Sequence, residues 1–218
     1  MVMKRPKYIV VEGPIGVGKS SLARILADDF GARTLVDDPD ANPFLPAFYQ
    51  NPEQYAFQTQ LFFLLSRYNQ QKQLKQQDLF DQQVICDYLF AKDLLFAQLN
   101  LTEEEYELYL QIYKLLDQKL PKPDVTIFLQ ASPEVLMKRI RKRNKEYETE
   151  IDPNYVMQVS QTYSQFFFQY NESPLLVVNV TDLDFIKEKH DYEMLKEELF
   201  NLLKSGKDKH YVTIIDKN

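Results

Sequence analysis

One short segment near the amino terminus limits this chain more than any other. Gly13-Pro14-Ile15-Gly16-Val17-Gly18-Lys19-Ser20 satisfies the pattern G-x-x-x-x-G-K-[ST]. Its context also fits. Tyr8-Ile-Val-Val-Glu12 reads as a buried strand before it, and Lys19 to Phe30 reads as a helix after it, with Leu22, Ile25 and Leu26 on one face and Gly31 just past the end. Of the chain's five glycines, three fall in this loop, so the concentration needs a local cause. Glycine lets the backbone turn with its N–H groups facing inward, where they can bond phosphate oxygens. The helix N-terminus adds partial positive charge. Lys19 is expected on the β- and γ-phosphates, Ser20 on Mg²⁺, and Ser21 beside them. Such a loop implies nucleoside triphosphate binding but does not separate kinases from GTPases, motors or switches. A guanine-reading N-K-x-D is absent, since Asn144-Lys145 continues as Glu146-Tyr147.

The rest of the chain alternates strands with helices. Further strands are expected at Thr34–Asp37, Val84–Asp87, Val125–Leu129 and Leu175–Val178. Further helices are expected from Pro52 to Gln77, from the capping box Thr102-Glu-Glu-Glu105 to about Gln118, from Ser132-Pro133, from Asp152-Pro153 to about Tyr170, and from Asp191 to Lys204. Asp38 to Pro46 is turn-rich, and the tail from His210 is read as either an edge strand or loose chain. This order predicts one α/β domain over residues 1–218: a P-loop NTPase with a mostly parallel sheet of five strands flanked by helices. The formal net charge of -6 argues against a nucleic-acid partner. No apolar run approaches the ~20 residues of a membrane span, and the first apolar stretch stops at Glu12, too early for a secretory signal. A single cysteine, Cys86, excludes an internal disulfide framework and fits a reducing cytoplasm. His190 and His210, the only histidines, lie far apart in sequence.

Five ordered blocks resemble the deoxynucleoside kinase family, and its bacterial deoxyadenosine/deoxyguanosine kinase branch in particular. They are Ile9 to Ser20, Asp37 to Leu45 with Asn42-Pro43-Phe44-Leu45, Gln60 to Arg67, Cys86 to Asp93, and Val125 to Glu148. The resemblance implies a five-stranded parallel sheet, transfer of the ATP γ-phosphoryl group to a nucleoside 5′-hydroxyl, nucleotide salvage and a homodimer. It also implies residue roles. Asp37 aligns with the family's base for the 5′-hydroxyl, usually Glu, with Asp38 as a competitor. Asp87 aligns with an acid that helps hold Mg²⁺. Relatives follow that acid with Arg, whereas this chain has Tyr88; Lys92, a helical turn further on, is expected to restore the charge.

Lys138 to Lys145 carries six basic residues in eight, which stands out in an acidic chain. By the resemblance it belongs to a lid, about 139–150, with Arg143 and Lys145 on the phosphates, Arg139 near the adenine and Glu148 on the sugar 3′-hydroxyl. Asp184 and Phe185 are expected to line the adenine. Gln60, with an Arg67–Asp93 pair, is expected to grip the base. The pair fills the space of a thymine methyl, which implies deoxyadenosine, deoxyguanosine or deoxycytidine with thymidine poor, and the resemblance to the bacterial branch tips this to the purines. Phe57 and Phe90 are read as either base-stacking or core aromatics. Two other readings stay open at this point. One is a thymidylate-type nucleoside monophosphate kinase, although Asp37 to Asp40 is acidic where an acceptor phosphate would need cations. The other is an ATP-binding module that has lost its chemistry, which Tyr88 alone favours.

Overall fold

A computed structural model describes residues 6–76 and 82–212. The strands are β1 (Tyr8–Glu12), β2 (Arg33–Leu35), β3 (Val84–Cys86), β4 (Val125–Gln130), β5 (Leu175–Asn179) and β6 (Lys209–Val212). They form one sheet in the order β2-β3-β1-β4-β5-β6, and every pairing is parallel. A parallel sheet is covered on both faces, which is why its strands read as unbroken apolar runs. β3 and nearly all of β1, β4 and β5 are buried. The five expected strands are present. The tail's open choice resolves as a sixth, β6, at the edge beside β5. Chain beyond Val212, and Gln77 at the end of the expected long helix, lie outside the described residues.

The helices are α1 (Lys19–Phe30), α2 (Leu45–Gln50), α3 (Pro52–Gln76), α4 (Lys92–Asn100), α5 (Glu103–Asp117), α6 (Pro133–Arg143), α7 (Pro153–Gln169) and α8 (Lys189–Ser205). Alternation along the strands divides the core. Ile9, Val11, Ile127, Leu129, Leu176 and Val178 pack on α1, α6 and α8. Val10, Cys86, Phe128 and Val177 pack on α4 and α7, where Phe128 stacks on Phe167 with ring centroids 4.2 Å apart. Two helices went unread in the sequence. α2 follows a turn-rich stretch and is only six residues long, and α4 starts directly after the turn that follows β3. The capping box of α5 is formed: Thr102 accepts from the Glu105 N–H, and Glu105 accepts from the Thr102 N–H. Among the described residues, no helix is long and apolar enough to cross a membrane.

Candidate active site

The carboxyl ends of parallel strands are where an open α/β sheet binds ligands. Here they open into one cavity of about 840 Å³, lined by the phosphate loop from Ile15 to Ser21 and by the tips of β2 and β3. One face of α3, the basic end of α6 and the segment from Leu183 to Lys187 complete the wall. Local geometry explains the loop. Gly13 has φ 152°, and a Cβ there would meet the Leu129 carbonyl oxygen at 2.4 Å. Gly18, at φ 107°, begins α1, and Phe185 packs against it. Lys19 folds back over the loop, donating to the carbonyls of Gly13 at 2.7 Å and Pro14 at 3.1 Å. Burial lowers its pKa to about 8, against the pull of Glu12.

Parallel pairing of β2 and β3 brings two carboxylates to the loop. The Asp37 N–H donates to Asp87 Oδ1 at 2.6 Å, and the Ser20 hydroxyl donates to Asp87 Oδ2. Burial raises the Asp87 pKa. Asn42 fixes the following turn: it donates to the Thr59 carbonyl of α3 and accepts from the Phe44 N–H. The Asp37 carboxylate thereby meets α3. Arg67 Nη2 donates to Asp37 Oδ2 at 2.6 Å and Nε to Oδ1 at 3.2 Å, while Nη1 donates to Asp93. Lys92 Nζ donates to Asp37 Oδ2 at 3.2 Å and lies 3.9 Å from Glu12. Arg67 and then Lys92 hold the Asp37 carboxyl well below the usual range against its burial. Asp93 lies deeper, and burial outweighs Arg67 there, pushing its pKa up to about 6. The competing acid Asp38 lines the same cavity, yet it is Asp37 that takes both cations.

The basic segment contributes Arg139, Lys142, Arg143 and Lys145 to the wall. Each side chain has a definite partner or place. Arg139 donates to the carbonyls of Val17, Val180 and Leu183, bracing the phosphate loop against the segment after β5. Arg143 forks onto Glu148. Lys145 reaches Asp40 at 2.6 Å, and Tyr147 donates to the same carboxylate. Asp184 and Phe185 line the cavity next to the loop.

One expectation needs correction. Phe57 is not in the wall. It shares a stripe with Leu61, Leu64 and Tyr68 that packs on α4 and α5, whereas Gln60, Phe63 and Arg67 form the stripe facing the cavity. Helical spacing of 100° per residue separates the two. The expected Arg67–Asp93 pair is formed, with Asp93 fully buried behind Arg67. Phe90, the other aromatic considered, stacks on Tyr113 in the core at 5.2 Å. Tyr88 is fully buried; its hydroxyl donates to Gln70, and its ring centre lies 5.8 Å from the Arg67 guanidinium carbon and 5.6 Å from Lys92 Nζ.

Other residues escaped the sequence. Glu12 is fully buried, and it accepts from the N–H groups of Gly13 and Leu89 and from the Tyr163 hydroxyl. Its signal was an acid ending a buried strand immediately before the loop. Phe63, Phe96, Tyr155 and Tyr163 supply the aromatic wall. Phe63 was detectable from its spacing, three after Gln60 and four before Arg67.

A glycine loop on a helix N-terminus, facing acids at the ends of parallel strands and a basic segment, defines a phosphoryl-transferring enzyme of the P-loop class. The sequence model of the deoxynucleoside kinase family matches residues 9–204, and the chain belongs to that family. It is 34% identical over 206 residues to a deoxyguanosine kinase of Bacillus subtilis (strain 168), covering 92% of this chain and 100% of that one. A deoxyadenosine kinase of Lactobacillus acidophilus is 31% identical over 206 residues, covering 88% and 94%. A solved deoxyadenosine kinase of M. mycoides, with dCMP and a flexible dCDP bound, superposes with a TM-score of 0.78 at 25% identity, over 89% of this chain and 99% of that one. The chain is thus a phosphotransferase with deoxynucleoside kinase function, and the regulatory-module and monophosphate-kinase readings fall away.

Proposed function

We propose that this enzyme transfers the γ-phosphoryl group of ATP to the 5′-hydroxyl of deoxyadenosine or deoxyguanosine, in cytoplasmic nucleotide salvage. One observation carries the reading. Ser20, Asp87, Asp37, Arg67 and Asp93 form an unbroken line of hydrogen bonds from the phosphate loop to the face of α3 that carries Gln60. In this reading donor, acceptor hydroxyl and base are arranged along it. Gln60 lines the cavity with both a donor and an acceptor for a base edge, and Asp93 anchors Arg67 beside it. The deoxyguanosine and deoxyadenosine kinases among the relatives support a purine acceptor.

The residue roles follow. Asp37 accepts the hydroxyl proton. Its low pKa makes it a weak base, but a loose transition state needs orientation of the nucleophile more than base strength. Loop N–H groups and Lys19 bind the triphosphate. Arg139 holds the loop in shape, Asp184 and Phe185 border the adenine, and Arg143 and Lys145 lie beside the phosphates. Glu148 receives the sugar 3′-hydroxyl. Ser20 and Asp87 suit Mg²⁺: both are hard oxygen ligands, and burial outweighs the nearby Lys92 and Lys19 at the Asp87 carboxylate. A bound Mg²⁺ would neutralise charge on the phosphate oxygens. Leu65, Leu108 and Leu115 remain exposed on α3 and α5 and support a homodimer through these helices.

A steady-state assay with ATP and Mg²⁺ against the four deoxynucleosides and thymidine monophosphate tests the reading. Turnover is expected with deoxyadenosine or deoxyguanosine, and little with thymidine. Asp37→Asn should retain ATP binding and lose about 10²- to 10⁴-fold in kcat. A preference for thymidine, or an undiminished Asp37→Asn, would overturn it.

A further inference from the structure

Arg67 is bound to the acceptor side of the site as firmly as to the base side. A residue that served only the base would not need to hold Asp37. Yet two of its nitrogens, Nε and Nη2, bond the two oxygens of Asp37, and only Nη1 is left for Asp93. The guanidinium is buried, with its carbon 4.5 Å from the centre of the Phe63 ring. That ring and the Asp93 carboxylate fix its plane. The Tyr88 ring, centred 5.8 Å from the guanidinium carbon, sends its hydroxyl to Gln70, so it gives Asp37 no charge. Lys92 reaches Asp37 through one oxygen only and also faces Glu12. An ammonium is a point charge and cannot orient a carboxylate plane, whereas a guanidinium fork can.

We propose that Arg67, reaching in from α3, is the positioning arginine of Asp37, and that one guanidinium therefore ties recognition of the base to the geometry of phosphoryl transfer. The proposal rests on the functional reading above. In the step it serves, the nucleoside O5′–H bond breaks as O5′ bonds the γ-phosphorus. The proton passes to the Asp37 carboxylate, and the bond from the γ-phosphorus to the bridging oxygen breaks with its electrons leaving on ADP. Arg67 gives up no proton. It sets the plane of the acceptor carboxylate. A base that displaces the guanidinium from its seat between Phe63 and Asp93 then disturbs Asp37, so a poor base lowers kcat as well as raising KM.

The test compares Arg67→Gln and Arg67→Lys by kcat and KM for the purine deoxynucleoside, alone and combined with Asp37→Asn. For Arg67→Gln, kcat is expected to fall about tenfold or more in addition to any rise in KM. In the Asp37→Asn background, where no carboxylate is left to orient, Arg67→Gln should lower kcat little further. Arg67→Lys should recover little of the kcat. A rise in KM alone with kcat unchanged, or kcat losses that add fully in the double variant, would make Arg67 a base contact only and overturn the proposal. If Arg67→Gln does not fold, Arg67→Lys decides it: an unchanged kcat there overturns it, and a reduced kcat that is not additive with Asp37→Asn supports it. Failure of the parent enzyme to phosphorylate any nucleoside would defeat the functional reading, and a crystal structure of Arg67→Lys would still judge the contact: an Asp37 carboxylate left in the parent plane overturns it.

Discussion

Lys19 and Asp37 show how position sets charge in this site. Both are buried, but burial dominates at Lys19, while two cations overcome it at Asp37. The consequence for pH has a sign. With its pKa lowered to about 8, Lys19 is charged below that pH and loses its charge as pH rises through it. The kcat/KM for ATP, which reports the free enzyme, should therefore fall on the alkaline side from about pH 8. Bound phosphate restores the lysine's charge, so kcat should hold to higher pH. A kcat/KM for ATP that stays flat to pH 10, about the ordinary lysine pKa, would show that Lys19 is charged throughout. At this scale the loop was legible in the sequence because its geometry is local and its glycines have no substitute. The Arg67–Asp37 contact was not. The two residues lie 30 apart, and their meeting depends on where the turn after β2 rests on α3.

Among the elements, the end of α6 carries the clearest consequence. Asn144, with φ at 53°, stops the helix, and a short 3₁₀ turn over Glu146–Glu148 follows. Lys145 and Tyr147 both seize Asp40 from the turn after β2, and the Tyr147 ring stacks on Tyr49 of α2. This clasp is partly exposed, and exposed ion pairs contribute only about 0–1 kcal/mol. Asp40→Ala should accordingly leave the melting temperature almost unchanged. It should lower the KM for ATP by roughly twofold to fivefold, the same energy scale, by releasing Lys145 toward the triphosphate. An unchanged KM in a titration of initial rate against ATP would remove Lys145 from the phosphate site. The basic run was plain in the sequence, but its pairing was not. Asp40 and Lys145 lie 105 residues apart, and nothing local records that α2 brings Tyr49 against Tyr147. Phe57 failed for a different reason. Along α3 its stripe and that of Gln60 are both rich in large side chains, so periodicity alone could not say which faced the cavity.

For the molecule as a whole, the alternation of strands and helices made the parallel sheet readable, because each buried strand announces itself as an apolar run. The proposed dimer concerns the surface this sheet leaves over. Leu65, Leu108 and Leu115 stay exposed although Leu61, Leu64 and Tyr109 beside them are packed within the chain. Sedimentation equilibrium should give about twice the chain mass at micromolar concentration, and Leu108→Glu with Leu115→Glu should halve it. A parent protein that sediments as a monomer would rule the dimer out. The sheet itself guards against a different kind of association. Its two margins are β2 and β6, three and four residues long, and each opens with a basic side chain, Arg33 and Lys209. The longer β1, β4 and β5, whose sequences would pair avidly with one another across copies, all lie inside that fence. Short, charged margins give a neighbouring chain little to zip onto, so the same ordering that opens a cavity at one end of the sheet also protects its apolar inner strands from edge-to-edge aggregation in a crowded solution.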